Sequence, residues 1–102
     1  MTTMNKWELE ENDLIRRRMS KTNEELAELL KVTSRILLQG INGADPETGE
    51  SNREQLLKEI ADVYAQLDCT VKSLYVDWSR VKVRRGYKVE LMKEWEDLYF
   101  DD

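Results

Sequence analysis

Two short runs of this chain set carboxylates at helical spacing: "EELAE", Glu24 to Glu28, and "EIAD", Glu59 to Asp62. Counting about 100° per residue, Glu25 falls inside the apolar arc of Leu29, Val32 and Ile36, Glu28 sits on its shoulder about 60° away, and Glu24 lies farther round. In the second run Glu59 stands at the edge of a stripe holding Leu56, Val63 and Leu74, with Asp62 about 60° outside it. Each run thus offers an (i, i+3) carboxylate pair on the border of an apolar face. If the two helices pack antiparallel, both pairs point into one crevice. Carboxylates gathered there repel one another, and each one buried without a partner either costs several kcal/mol or takes up a proton. A hard divalent cation resolves the conflict. Mg²⁺ prefers oxygen ligands, keeps several waters, and accepts one or two carboxylates together with substrate phosphates. The chemistry this spacing predicts is metal-assisted attack on a phosphate.

The elements that must position these groups read as helices. A first segment, roughly Lys6 to Met19, carries Trp7, Leu14, Ile15 and Met19 at helical spacing, with Arg16, Arg17 and Arg18 on a solvated face. Thr22 and Glu25 have capping-box spacing, which places the start of a second helix near Thr22; the two segments equally fit one long bent helix. Apolar positions continue to about Leu38. "GINGADPETGES", Gly40 to Ser51, holds three of the four glycines and the only proline, and is a loop. Ser51 and Glu54 then open a helix whose stripe runs from Leu56 to Trp78, a length of roughly 27 residues and about 40 Å. Asp77, Trp78 and Ser79 interrupt it, and a last helix carries Val81, Tyr87, Leu91, Trp95 and Leu98, weakened by Gly86. The tail "EWEDLYFDD" sets aromatics beside acids, to pack on a neighbouring subunit or to fray. The expected architecture is all-α, an antiparallel bundle of about four helices in a single domain over 1–102, with its core completed by homo-oligomerisation.

Composition narrows the chemistry further. Apolar residues make up 40% and charged residues 36%, a balance suited to a soluble helical domain. The formal net charge of -5 argues against a nucleic-acid polymer as partner. With no histidine, imidazole general bases, Ser-His-Asp triads and His-ligated metals are all excluded. Cys69 is the lone cysteine, so neither an internal disulfide nor a thiolate zinc site can form. No apolar run reaches membrane-spanning length and "MTTMNKWELEEND" has no apolar leader core, which gives a cytoplasmic expectation with no membrane partner.

The two motifs in this order, across a Gly/Pro loop, resemble the EExxE and ExxD signature of the MazG-like all-α nucleoside triphosphate pyrophosphohydrolases. Trp7 ahead of them and "RRGYKVE", Arg84 to Glu90, behind them look like that family's flanking segments. The resemblance implies Mg²⁺-dependent hydrolysis of nucleoside triphosphates, in particular dNTPs, to the monophosphate and pyrophosphate, with Mn²⁺ as a substitute ion. It implies Glu25, Glu28, Glu59 and Asp62 as metal ligands, and Glu24 and Glu25 as the catalytic pair, Glu24 being a further ligand or the base that orients water. Lys88 matches the phosphate-binding lysine, with Arg85 or Lys82 as fallback, and the assembly would be a homodimer or homotetramer. The chain departs from the family in a long Glu28-to-Glu59 interval and in lacking an evident Asn or Arg beyond Lys88.

A second class competes: a non-catalytic helical interaction or regulatory protein whose acids form a solvated edge and whose Arg80, Lys82, Arg84, Arg85 and Lys88 form a solvated face. Binding of nucleotides without cleavage is a third. Trp78 and Trp95 read as core or subunit interface rather than a base-stacking slot.

Overall fold

The computed structural model describes residues 7–96, and they form three helices: α1, Asp13–Gln39; α2, Asn52–Ser73; and α3, Trp78–Trp95. Lys6, Leu98 and the end of the aromatic-acidic tail lie outside the described residues. No strand occurs among them, only an isolated bridge between Ala44 and Ser51.

α1 starts ahead of both motifs, where the Asn12 side chain accepts from the Ile15 N–H at 3.1 Å. It then runs unbroken through Thr22, so the reading as one long helix holds and the separate start near Thr22 is corrected. The Thr22 hydroxyl donates back to the Arg18 carbonyl at 2.7 Å, an interior helical bond that leaves no orphan donor to cap. α1 stops at Gly40, whose φ of 90° suits only glycine and whose N–H bonds the Ile36 carbonyl. Ser51 caps α2 as its spacing predicts, accepting from the Glu54 N–H at 3.1 Å.

α2 is shorter than the apolar stripe implied, 22 residues rather than roughly 27. Tyr75 adopts φ 54°, and Val76 donates back to the Val71 carbonyl, so the chain leaves the helix in a Schellman turn although Leu74, Tyr75 and Trp78 keep helical spacing. Asp77 then caps α3, accepting from the N–H groups of Ser79 and Arg80.

α1 and α2 pack as an antiparallel hairpin. Arg18 Nε donates to Ser73 Oγ, the Thr22 and Thr70 hydroxyls meet at 3.2 Å, Arg35 bonds Gln55, and Asn52 bonds Gln39, so partners descend along α2 as α1 ascends. Gln66, nearly buried, spans the interface by donating to the Arg18 carbonyl and the Thr22 hydroxyl. Between these polar ties Val32 is the one buried apolar side chain among the described residues. α3 buries none and only grazes the hairpin. The radius of gyration is accordingly 18.0 Å, against about 13 Å for a compact chain of this length.

Candidate metal centre

Glu25 on α1 and Glu59 on α2 face each other across the hairpin, and Asp62, one turn beyond Glu59, closes the third side. One carboxylate oxygen from each lies within 4.8 Å of the others. Periodicity explains the convergence. Glu25 belongs to the packed face of α1, which leaves its side chain only 20% exposed; Glu59 is half-buried, and Asp62 is exposed.

The electrostatics are those of an unneutralised site. Partial desolvation, then Asp62, Glu28, Glu25 and Glu50, hold the Glu59 carboxyl above its ordinary value of 4.5. The nearest counter-charge is Lys21, with Nζ 3.8 Å from Glu25 but also 3.4 Å from Glu24. Glu28 is exposed, near enough to act on Glu59, and lines a cleft of about 280 Å³ with it. Glu24 lies outside this group, 62% exposed, in a crease shared with Arg16, Arg17 and Lys21.

Three carboxylates with this separation fit a hard cation. An octahedral Mg²⁺ shell spans about 4.2 Å between opposite oxygens, so the 4.8 Å spread closes with small torsional changes. All-oxygen donors suit Mg²⁺ or Mn²⁺ rather than softer metals.

The basic residues of α3 are not gathered at the acids. Among the described residues no ion pair joins Lys82, Arg85 or Lys88 to Glu24, Glu25, Glu28, Glu59 or Asp62. Lys88 Nζ lies 6.0 Å from the Trp95 ring centre, Arg85 lines an apolar groove, and Lys82 is exposed. The cations that share the cleft with Glu28 and Glu59 are Lys31, Arg35 and Lys58, which the motifs do not single out. Arg35 is committed to Asp45 and Gln55, and Lys58 to Glu50 at 3.1 Å; Lys31 makes no ion pair among the described residues. Their signal is present in the sequence, since Lys31 follows Glu28 by three residues and so shares its face.

No family model matches this chain, and no curated protein or solved structure matches it either. No described helix is long and apolar enough to cross a membrane.

Proposed function

We propose that this chain is a Mg²⁺-dependent nucleoside triphosphate pyrophosphohydrolase of MazG-like type, acting on dNTPs, with Mn²⁺ able to replace Mg²⁺. The observation that carries the reading is the carboxylate triad of Glu25, Glu59 and Asp62, drawn from two helices, within 4.8 Å and without a dedicated counter-ion. Glu28 completes the ligand set at the cleft mouth. When bound, the ion supplies charge neutralisation for the phosphates and acidifies an adjacent water.

The protein's own residues do the rest. Lys31 offers an uncommitted ammonium beside the acids, and Lys58 a second one once it releases Glu50; both suit the pyrophosphate end of the substrate. Lys88, Arg85 and Lys82 serve the phosphates only if α3 swings toward the cleft. In the reaction a water oxygen bonds the α-phosphorus, the bond from that phosphorus to the α–β bridging oxygen breaks, and pyrophosphate leaves. The water's proton passes to a carboxylate at the cleft mouth, and Glu28 is better placed for it than Glu24, which faces Lys21. A homodimer or homotetramer completes a four-helix core around the hairpin.

Pyrophosphate release from a panel of (d)NTPs, with Mg²⁺ and with EDTA, tests the reading. Metal-dependent pyrophosphate, not orthophosphate, is expected. Silence from folded protein on every triphosphate would favour the interaction module instead, a reading that draws on the loosely attached, basic α3; isothermal titration with a non-hydrolysable triphosphate would separate that module from a nucleotide binder.

A further inference from the structure

Charge is distributed unevenly along this chain. The net of -5 belongs to the whole, yet α3 holds six basic residues against Glu90 and Glu94, a local net of +4 that leaves -9 on the remaining residues. An acidic total disfavours a polyanion on the protein's general surface. It does not oppose one held along this single helix.

α3 has two unlike sides. Trp78, Val81 and Arg85 line the groove it forms with the hairpin, while Arg80, Val83, Arg84 and Tyr87 line a separate crease of about 550 Å³ to which neither α1 nor α2 contributes a residue. From that crease a row of cations runs on to Lys88. Arg80, Arg84 and Lys88 follow one another at (i, i+4) spacing, a stripe about 12 Å long. No ion pair engages any of the three among the described residues. Two of them lie instead over rings, Arg84 with Cζ 5.2 Å from the Tyr87 ring centre and Lys88 with Nζ 6.0 Å from that of Trp95. Tyr87 is 54% and Trp95 68% exposed, so both rings keep surface for a further flat group.

Cations in a row with exposed rings between them match what a single-stranded nucleic acid offers, charged phosphates in succession and unstacked base faces. A duplex hides its base faces and would leave Tyr87 and Trp95 unused. A row of about 12 Å also suits phosphates spaced along a strand better than the contiguous phosphates of one nucleotide. An anionic lipid surface is the poorer match. A helix lying on a membrane sorts apolar and charged residues onto opposite faces, and on α3 they are mixed around the axis.

We propose that the outer face of α3 binds a single-stranded nucleic acid, with Arg80, Arg84 and Lys88 on its phosphates and Tyr87 and Trp95 stacking on its bases. This goes beyond the proposed hydrolysis and does not rest on it, because the crease takes no residue from the acid-bearing hairpin and needs no metal.

Fluorescence anisotropy of labelled single-stranded oligo-dT, titrated with the intact chain in EDTA, provides the test. Binding is expected with a log K against log salt slope of about -2 for three phosphate contacts, so that it is about 16-fold weaker at ~200 mM than at ~50 mM salt. The double variant Arg80→Gln, Arg84→Gln, verified as helical by circular dichroism, should bind at least about tenfold more weakly, with a slope near about -0.7 for the one contact left. Tyr87→Leu should lose at least about fivefold with the slope unchanged, while Tyr87→Phe keeps the ring and should bind like the original. No binding by the folded original chain overturns the assignment, and so does a double variant that binds undiminished. Equal affinity for a duplex of the same length, or a Tyr87→Leu chain that binds like the original, overturns it by removing the bases from the contact. Binding to phosphatidylserine vesicles in place of the strand overturns it in favour of a membrane surface.

Discussion

Two polar clusters sit along the same helical hairpin, and they are built on opposite plans. Near the loop, Arg35 meets Asp45 at 3.4 Å, Gln55 bonds both of them, and the side chains of the ion pair are each 15% exposed. Every charge has an answer inside the chain. Hydrogen bonds from the Glu47 backbone and Gln55, with the nearby Arg35 charge, hold the Asp45 carboxyl below its ordinary value of 3.8. Toward the middle of the hairpin, Glu25, Glu59 and Asp62 converge, Lys21 beside Glu25 is their one ion-pair partner among the described residues, and Glu59 is held above its ordinary value. The first cluster is complete and serves the fold. The second leaves like charges close together, and it is the cluster proposed above to take a cation from outside.

The widest separation between the clusters should appear in turnover. Glu25→Gln keeps the side chain's shape but removes one of the charges proposed to hold the ion; on the proposed function, pyrophosphate release should fall by at least about 100-fold while the circular dichroism spectrum stays helical. Gln55→Met strips hydrogen bonds from the loop cluster and should leave turnover per folded molecule within about threefold of the original. A folded Glu25→Gln protein with undiminished pyrophosphate release would show that both clusters are structural.

Stability should divide the clusters the other way. Asn52, fully buried beside the loop cluster, donates to Gln39 Oε1 and to the Gly40 carbonyl, and so ties the end of α1 to the start of α2. Asn52→Ala leaves both acceptors without that donor and should cost about 2 kcal/mol in urea unfolding. Removing a repelling charge by Glu59→Gln should have the opposite sign in metal-free buffer at neutral pH.

Much of this contrast is legible in the sequence, and the illegible part has a physical origin. The spacing of Glu25, Glu59 and Asp62 places each on a helix face and the Gly/Pro loop allows an antiparallel return, so the approach of these three follows from local periodicity, while Glu28, expected with them, lies outside the triad and lines the cleft beside Glu59. Thr22 is ambiguous because a threonine hydroxyl serves a helix start or an interior turn equally well. Here the Asn12 cap has already started the helix, and the Thr22 hydroxyl donates to the Arg18 carbonyl while also meeting Gln66 and Thr70, partners far along the chain. The end of α2 is hidden for a related reason. The positive φ of Tyr75 is backbone geometry that a side chain of helical spacing does not announce. The role of Arg35 depends on Asp45, which a folded loop alone brings near, and the distance from Lys88 to the acids depends on how α3 docks.

The finest contrast lies in pH. An acid whose pKa is raised on folding binds protons more tightly in the folded than in the unfolded chain, so its ionisation opposes folding. For Glu59 that penalty is absent below its ordinary value of 4.5, grows as pH rises, and is complete above the raised folded value. For Asp45 the sign reverses: its lowered pKa contributes stability that is present above 3.8 and is lost as pH falls through the folded value. Urea midpoints of Glu59→Gln and Asp45→Asn relative to the original chain should therefore diverge with pH. Glu59→Gln should match it near pH 4 and exceed it at pH 7, whereas Asp45→Asn should fall below it at pH 7 and approach it in acid. Millimolar Mg²⁺ at pH 7 should raise the midpoint of the original chain by mass action and leave that of Glu59→Gln nearly unmoved, since the ion needs the charge that the substitution removes. Equal responses of the two proteins to Mg²⁺ would place the ion elsewhere, and Glu59 would then be an acid raised by its neighbours for no purpose of binding.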